Sequence, residues 1–136
     1  MKFSPNNLCP CGSKIKYKKC CQPFHKGKLP DTALELMRSR YVAYALQIPK
    51  YIIDTTHKDN KDYLDDKNLW ESQILDFCIN YDFKSLEIID FIDENLESFV
   101  TFRVQLLYKN EDNSFTEKSK FLKIDGRWLY HSGEIN

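Results

Sequence analysis

A chain of 136 residues is long enough for one domain with a short appendage, which excludes two full domains. The hydrophobic fraction of 42% is typical of a globular protein, and no run approaches the roughly 18 apolar residues of a membrane span. The net charge of zero conceals an asymmetry: residues 1–28 contain seven lysines and no acid, whereas residues 29–136 contain 13 basic and 20 acidic residues, a balance of −7.

The first 28 residues form the first predicted unit. Prolines and glycines interrupt this segment and its apolar residues show no period, so it cannot build a core from side chains alone. It also lacks the apolar stretch of a secretory signal, and we therefore expect a cytoplasmic protein with reduced thiols. The predicted organisation is a basic module over residues 1–28 and a separate domain over residues 29–136.

Four cysteines lie within 13 residues of this module, in the pairs Cys9 with Cys11 and Cys20 with Cys21. Four thiolates close together are a typical ligand set for a tetrahedral zinc ion. Disulfides and a redox dithiol are disfavoured, because the compartment is reducing and no CxxC pair is present. His25 remains an alternative to Cys21 as the fourth ligand, since adjacent ligands are geometrically demanding.

Three helices are predicted next, over residues 34–48, 49–56 and 69–78. In the first, apolar residues recur at three- and four-residue steps, and Asp31 is placed as the N-cap. Pro49 suits the first turn of the short second helix. The third is marked by its own apolar residues and follows a charged stretch.

After Tyr81 the pattern changes to a period of two with many β-formers. The predicted strands are Phe83–Ile92, Phe99–Tyr108, Phe115–Ile124 and Arg127–His131. Asp125 and Gly126 give the strongest hairpin signal in the chain. About three helices followed by about four hairpin-linked strands predict an α+β fold with an antiparallel sheet.

The sequence CPCGS at residues 9–13, followed by Tyr17, Cys20 and Cys21, resembles the SEC-C motif, which is named for its place at the C-terminus of bacterial SecA. In that motif the last ligand is Cys or His at the position of Cys21. The resemblance therefore favours Cys21 over His25. It also implies a zinc knuckle that docks a protein partner.

Three further segments resemble the YchJ family of small bacterial proteins: RSRYVAY at residues 38–44, TTH ending at His57, and EKSKFLKIDGRWLYHSG at residues 117–133. This resemblance implies a cone-like domain of the nuclear transport factor 2-like type, in which helices close against a curved sheet and leave a pocket. The family has no established reaction, so the resemblance does not define a task.

The domain contains a group of residues whose favoured interpretation is structural, with Glu117 in a buried ion pair with Arg38 or Arg40 and with Trp128 and Tyr130 in the core; a ligand or catalytic site is the alternative. Strand alternation places Glu117 on the same sheet face as Phe115, Phe121, Trp128 and Tyr130, and apolar surroundings raise the pKa of a carboxyl group. The expected pocket residues are Arg38, Arg40, Tyr41, His57, Glu117, Trp128 and Tyr130. Glu117 and His57 are the candidate catalytic residues. Within this alternative, the site either only binds a small ligand or uses these two residues for acid/base chemistry.

The sequence thus favours a binding role over a catalytic one. We expect a Zn²⁺ protein whose basic knuckle docks a protein partner. Lysines interleaved with Tyr17 and Phe24 leave contact with RNA or the ribosome as an alternative, although the acidic domain opposes a long nucleic-acid footprint.

Overall fold

The structure, a computed structural model, describes residues 3–136. A 3₁₀ turn at Tyr17–Lys19 precedes the helices α1 (Gln22–His25), α2 (Ala33–Ala45), α3 (Pro49–Asp54) and α4 (Lys67–Asn80). The strands are β1 (Tyr81–Asp93), β2 (Glu97–Tyr108), β3 (Glu111–Asp112), β4 (Phe115–Ile124) and β5 (Arg127–Ile135). The predicted α+β class is confirmed. Over residues 3–136, every helix is too short or too polar to traverse a bilayer.

Helix α2 begins with a capping box. Thr32, one residue after the predicted cap Asp31, accepts a hydrogen bond from the Glu35 backbone N–H at 3.1 Å, and the Glu35 carboxylate accepts from the Thr32 N–H at 3.3 Å. The reciprocal pair satisfies two amides that the first turn leaves without partners, so the choice of Asp31 was wrong by one residue. The helix ends at Ala45, and Gln47 adopts a left-handed φ of 61°, which stops it short of the predicted end at residue 48.

The sheet is antiparallel with strand order β1-β2-β4-β5, and the short β3 pairs with β2. Strand β1 contains two register shifts, between Phe83 and Ser85 and between Ile88 and Asp90. Bulges of this kind increase strand twist and bend the strand. The resulting curved sheet packs against α2 through β1, β2 and β5.

The β4–β5 hairpin turns at Asp125 and Gly126, whose φ values of 50° and 82° are those of a type I′ turn. The predicted pairs Ile124 with Arg127, Leu122 with Leu129 and Phe121 with Tyr130 are confirmed. Beyond them a bulge appears, because Lys120 pairs with Ser132 and leaves His131 as the extra residue. Strand β5 therefore continues to Ile135, four residues beyond the predicted end, and Ser119 faces Gly133.

The N-terminal segment, residues 3–28 and here called the knuckle, packs on α2. His25 Nε2 lies 2.8 Å from the Ser39 carbonyl oxygen and must carry a proton to donate to it, while Nδ1 lies 2.6 Å from the Tyr17 hydroxyl. Arg38 Nη1 donates to the Cys11 carbonyl at 2.9 Å. Side chains from both units thus fix the knuckle against the domain.

Candidate metal centre and domain cavity

A short hairpin brings the first pair of cysteines to the second. Cys9 N–H donates to the Ile15 carbonyl at 2.8 Å, and Tyr17 N–H donates to the Asn7 carbonyl at 2.9 Å. Gly12 closes the turn with a φ of 83°, a conformation that residues with a Cβ rarely adopt. The 3₁₀ turn then delivers Cys20 and Cys21 to the same place.

The four sulfur atoms of Cys9, Cys11, Cys20 and Cys21 all lie within 4.8 Å of one another. The separation is 3.6 Å between Cys11 and Cys20 and 4.0 Å between Cys20 and Cys21. In a tetrahedral zinc site with Zn–S bonds of about 2.3 Å the sulfurs are about 3.8 Å apart. The arrangement therefore fits one tetrahedral metal ion.

Hydrogen bonds among the thiols shift their pKa values in opposite directions. A hydrogen bond from Cys21, followed by one from Cys9, lowers the pKa of Cys11, while the hydrogen bond with Cys11 raises the pKa of Cys21 and raises that of Cys9 to about 12. These hydrogen bonds thus favour the thiolate of Cys11 and the protonated thiols of Cys9 and Cys21. A bound divalent cation removes that restriction, because a coordinating thiol is deprotonated outright.

His25 lies outside the sulfur cluster, because both of its ring nitrogens face other groups, Tyr17 and Ser39. Burial lowers its pKa, which favours the neutral imidazole, with Nδ1 accepting from the Tyr17 hydroxyl. It is a link between the knuckle and α2.

The outer surface of the knuckle is basic. Six lysine side chains are exposed there: Lys14, Lys16, Lys18, Lys19, Lys26 and Lys28. Within the described residues 3–136, none of them has a carboxylate within 4.0 Å. A depression of about 230 Å³ opens beside Cys20, lined among others by Ile15, Lys19, Pro23, Lys28 and Arg38.

A cavity of about 180 Å³ lies between α2, α4 and the inner face of the sheet. Its walls are mostly aromatic, from Tyr41, Tyr44, Phe77, Phe83, Phe115 and Phe121. Its polar lining side chains include Arg40, Glu117, Ser119 and Tyr130. This combination of apolar walls and a few polar groups is typical of small-molecule sites.

Glu117 presents its carboxylate to this cavity. The oxygen Oε2 accepts hydrogen bonds from the Ser119 hydroxyl and from the Tyr130 hydroxyl at 3.0 Å. Burial, and then the negative charge of Glu117, raise the pKa of Tyr130, which keeps its hydroxyl a donor. Gly133 backs directly onto the carboxylate, since a Cβ there would collide with Glu117 Oε2 and approach the Tyr130 hydroxyl at 2.8 Å.

Arg40 contributes a buried guanidinium to the same cavity. Its Nη1 donates to the Ile52 carbonyl at 3.0 Å and to the hydroxyls of Thr55 and Thr56 at 2.8 and 3.0 Å. The guanidinium carbon lies 4.6 Å from the centre of the Tyr130 ring, in a cation–π contact. Arg40 has no carboxylate within 4.0 Å among residues 3–136. The ion pair with Glu117 that the sequence suggested is therefore not formed.

The structure brings together four of the seven expected pocket residues. Arg40, Tyr41, Glu117 and Tyr130 line the cavity, whereas Arg38, His57 and Trp128 lie elsewhere. Arg38 reaches the Cys11 carbonyl of the knuckle, and Trp128 Nε1 donates to the Asp31 carbonyl at 3.3 Å. Arg38 and Trp128 were assigned correctly to a helix and a strand, but their side chains contact the knuckle and the segment that follows it.

His57 is held away from Glu117 by its backbone. Its N–H donates to the Tyr130 carbonyl at 2.8 Å, and its ring lies beside Asp59 and the bulged His131, with ligand atoms of all three within 4.8 Å of one another. Sequence reasoning missed this cluster because the bulge that places His131 has no clear sequence signal. His57 Nδ1 already accepts the Asp59 N–H at 3.0 Å, so one ring nitrogen is occupied by the protein.

The cavity also contains residues that the sequence analysis did not assign to it. Tyr44, Phe77 and Phe83 form one wall, with ring centres of Tyr44 and Phe83 6.2 Å apart and stacked. The available signal was the helical step from Tyr41 to Tyr44, which places both on one face of α2. Gly133 had no such signal, because its role depends on the β5 bulge.

Comparison with known proteins agrees with this architecture. The family model described as YchJ, middle NTF2-like domain, matches residues 32–133, and the SEC-C motif matches residues 6–23. The chain belongs to the YchJ family. The predicted family, its SEC-C motif and its nuclear transport factor 2-like domain are thereby confirmed.

Relatives of this YchJ-family chain match it over most of their length. A UPF0225 protein of Serratia proteamaculans is 37% identical over 131 residues, which cover 93% of this chain and 82% of that protein. A UPF0225 protein of Actinobacillus succinogenes is 36% identical over 90% of this chain and 79% of its own. The solution structure of a SEC-C motif containing protein from Rhodopseudomonas palustris has a TM-score of 0.82 at 30% identity, covering 94% of this chain and 98% of that one.

Proposed function

We propose that Cys9, Cys11, Cys20 and Cys21 hold one Zn²⁺ and that the knuckle built around it docks an acidic protein segment. The observation that carries the docking proposal is the set of six exposed lysines without carboxylate partners among the described residues. The tight sulfur cluster supports the zinc ion, whose role is to hold this surface in shape. Zinc bound by four thiolates is a closed structural site.

The depression beside Cys20 supports a specific kind of partner. Lys19, Lys28 and Arg38 outnumber the single acidic lining residue, Glu35, and Ile15 and Pro23 give the depression apolar walls. A segment with carboxylates around an apolar side chain complements both features. Because Cys20 also lines the depression, loss of the metal is expected to deform the docking surface.

A protein partner is favoured over RNA by the distribution of charge. Residues 29–136 carry a balance of −7, and the knuckle packs directly on this acidic domain. A long polyanion that extends past the knuckle is repelled by the domain, whereas a short acidic segment engages the knuckle alone. RNA or ribosome contact is therefore the alternative that the experiment must separate.

Charge reversal tests the docking surface. Immobilised zinc-loaded protein is compared with the double variant Lys19→Glu/Lys28→Glu and with a control, Lys58→Glu/Lys84→Glu, which makes the same charge change at exposed positions of the domain. Proteins captured from untreated and from nuclease-treated lysate are identified and quantified across a salt series. We expect the same acidic proteins with wild type and control, weaker capture at high salt, and loss of capture with the knuckle variant.

Two results contradict the docking proposal. Capture that is equal for the two charge-reversed variants places the binding site on the domain. Capture that disappears after nuclease treatment of the lysate assigns the knuckle to nucleic acid. Removing zinc with a chelator gives a third arm, in which capture must fall to the level of the knuckle variant.

The cavity is a second candidate site, for a small ligand. It is favoured by one observation, a carboxylate with a free oxygen in an aromatic cavity, since both hydrogen bonds to Glu117 end on Oε2. Acid–base catalysis by Glu117 with His57 is less well supported, because His57 does not line the cavity. We therefore propose that the cavity binds its ligand without the Glu117 and His57 chemistry.

A further inference from the structure

Two opposite charges line the domain cavity without neutralising each other. Arg40 is only 7% exposed, and Glu117 is half-buried. Within residues 3–136 neither has an oppositely charged group within 4.0 Å. Tyr130 stands between them, with its ring under the guanidinium and its hydroxyl donating to the carboxylate.

The guanidinium retains unused donors. All three hydrogen bonds of Arg40 come from Nη1, so Nε and Nη2 have no acceptor among the described residues. Neither nitrogen is fully enclosed, but a guanidinium that is largely removed from water without a counter-charge still carries a desolvation cost. A group that lies in the cavity beside Arg40 and accepts from these nitrogens would remove that cost.

The carboxylate retains an unused acceptor. Oε2 of Glu117 takes the hydrogen bonds from Ser119 and Tyr130, while Oε1 takes none from the described residues. The carboxylate lies in the space that a Cβ at Gly133 would occupy, so only glycine at this position leaves room for Glu117 as it is placed. The free oxygen is suited to a donor with a positive charge.

The dimensions of the cavity limit the ligand. Its volume is about 180 Å³. A cavity of about 150 Å³ holds a benzene molecule in an engineered protein. The space here thus suits one ring or a branched chain of that size together with its polar groups, and the aromatic walls favour an apolar body.

From these features we infer that the cavity binds a small zwitterion with an apolar body, placing its anionic group against Arg40 and its ammonium group against Glu117. This inference rests on the proposed small-ligand function of the cavity and adds the chemistry of the ligand. A purely anionic ligand is repelled by Glu117, and a purely cationic ligand is repelled by Arg40. Only a molecule with both charges complements the two sides, and like-charge contacts discriminate against the others.

Four probes of similar size separate the possibilities: phenylglycine as the zwitterion, benzoate as the anion, benzylamine as the cation and benzyl alcohol as the neutral compound. Each is titrated into the zinc-loaded full chain near pH 7 and followed by amide and aromatic NMR shifts of cavity residues. We expect phenylglycine to bind at least about 10-fold more tightly than each of the other three, which corresponds to about 1.4 kcal/mol.

Variants assign the two charges. Glu117→Gln should remove the preference for phenylglycine over benzoate, and Arg40→Gln should remove its preference over benzylamine. Gly133→Ala is a second test of the Glu117 side, because its methyl group displaces the Glu117 carboxylate without changing any charge, and it keeps the inference testable if Arg40→Gln does not fold. Glu134→Gln, an exposed position next to Gly133, is the matched control and should bind as wild type does.

The outcomes separate this inference from the ligand function on which it rests. If benzoate, benzylamine or benzyl alcohol shifts the cavity resonances with an affinity equal to that of phenylglycine, the cavity binds ligands but the zwitterion is wrong. If no probe at millimolar concentration shifts these resonances, both the inference and the ligand function fail. Phenylglycine binding that is unchanged in Glu117→Gln and in Gly133→Ala also overturns the inference.

Discussion

Cys20 is half-buried, whereas Cys9, Cys11 and Cys21 are buried. Its sulfur also lies 3.1 Å from the Ser13 hydroxyl, which makes it the neighbour of a polar group as well as of the other sulfurs. Because Cys20 also lines the basic depression, one edge of the proposed zinc site lies where the partner is expected to dock. Metal binding and docking are therefore expected to be coupled through this residue.

The cysteine assignment is tested by metal content. Purified wild-type protein should contain about one zinc per chain, and Cys9→Ser or Cys20→Ser should lose it, because three thiolates bind a structural zinc less tightly than four. Cys78→Ala is the control, since Cys78 is a free thiol buried in α4 and should leave the metal in place. Elemental analysis decides, and full zinc occupancy in both serine variants would exclude these ligands.

Glu117 gives a stability prediction. A buried ion pair with an arginine would make Glu117→Gln cost roughly 3 to 5 kcal/mol by stranding the cation. The carboxylate instead accepts from Ser119 and Tyr130, and glutamine can still accept both bonds through its amide oxygen. We therefore expect a loss below about 1.5 kcal/mol in the free energy of unfolding, the scale of one hydrogen bond.

Urea and thermal unfolding of Glu117→Gln beside the exposed control Glu134→Gln measure this loss. If the free energy of unfolding instead falls by roughly 3 to 5 kcal/mol, the cost of a buried charge without its partner, Glu117 neutralises Arg40 in solution. That result would also weaken the case for a ligand that pairs with each of them.

Among the elements, α2 connects the two parts of the molecule. Ser39 on this helix accepts from His25, Arg38 donates to the Cys11 carbonyl, and Arg40 and Tyr41 line the cavity. Consecutive residues of one helix thus face the knuckle and the cavity on different sides. A change in the position of α2 is expected to affect both sites.

The start of α2 supplies a prediction with an internal control. Thr32→Ala removes the side chain that accepts the Glu35 N–H and should cost about 1 kcal/mol of unfolding free energy. Asp31→Ala should cost much less, because Asp31 is linked to Glu35 and Trp128 through its backbone N–H and carbonyl, which alanine retains. Chemical denaturation measures both losses of unfolding free energy. A larger loss for Asp31→Ala would show that Asp31, and not Thr32, is the N-cap.

Local chemistry made the elements and the hairpin predictable. The Asp125 and Gly126 pair requires positive φ values at both central turn positions, which fixes the register of the adjacent pairs. The bulge at His131 is different in kind, because it depends on how β5 pairs with β4 beyond the turn. The alternation pattern alone predicted an end of β5 at His131, which is too early, so Gly133 was not assigned to the strand.

The same distinction between local and tertiary determinants applies to the metal centre and the cavity. The four cysteines could be assigned from spacing because their ligand geometry is local to one hairpin and one turn. The pocket residues depend on how α2 and the loop after α3 lie against the sheet. Sequence patterns placed Arg38 and Trp128 on the correct elements, whereas the second helix stops at Asp54 rather than at residue 56 and leaves His57 in the loop. Side-chain direction followed from tertiary contacts with Cys11, Tyr130 and Asp31.

At the scale of the whole molecule, a basic knuckle packs on an acidic domain, and the two parts are stabilised by different interactions. The domain supplies most of one buried cluster from its helices and its sheet, and Cys9, Cys11, Tyr17, Cys21 and Phe24 of the knuckle pack into the same cluster. The knuckle contributes few large buried side chains, among them Tyr17 and Phe24, and relies on the proposed metal ion for order. We therefore propose that residues 1–28 and 29–136 unfold separately when the metal is removed.

Chelation tests this division by hydrogen exchange. Removing zinc should raise amide exchange throughout residues 3–28 and in α2 near Ser39, whose carbonyl loses the His25 hydrogen bond. Amides of β2 and β4 should keep their protection, because β2 pairs with β1 and β4, and β4 pairs with β2 and β5, without any residue of the knuckle. His25→Phe is the matched comparison, since it removes the link to Ser39 while all four cysteines remain. This variant should retain zinc and protection inside the knuckle but lose protection near Ser39.

If chelation instead removes protection from β2 and β4 together with the knuckle, the chain unfolds as one cooperative unit. The boundary near residue 28 then does not separate two folding units.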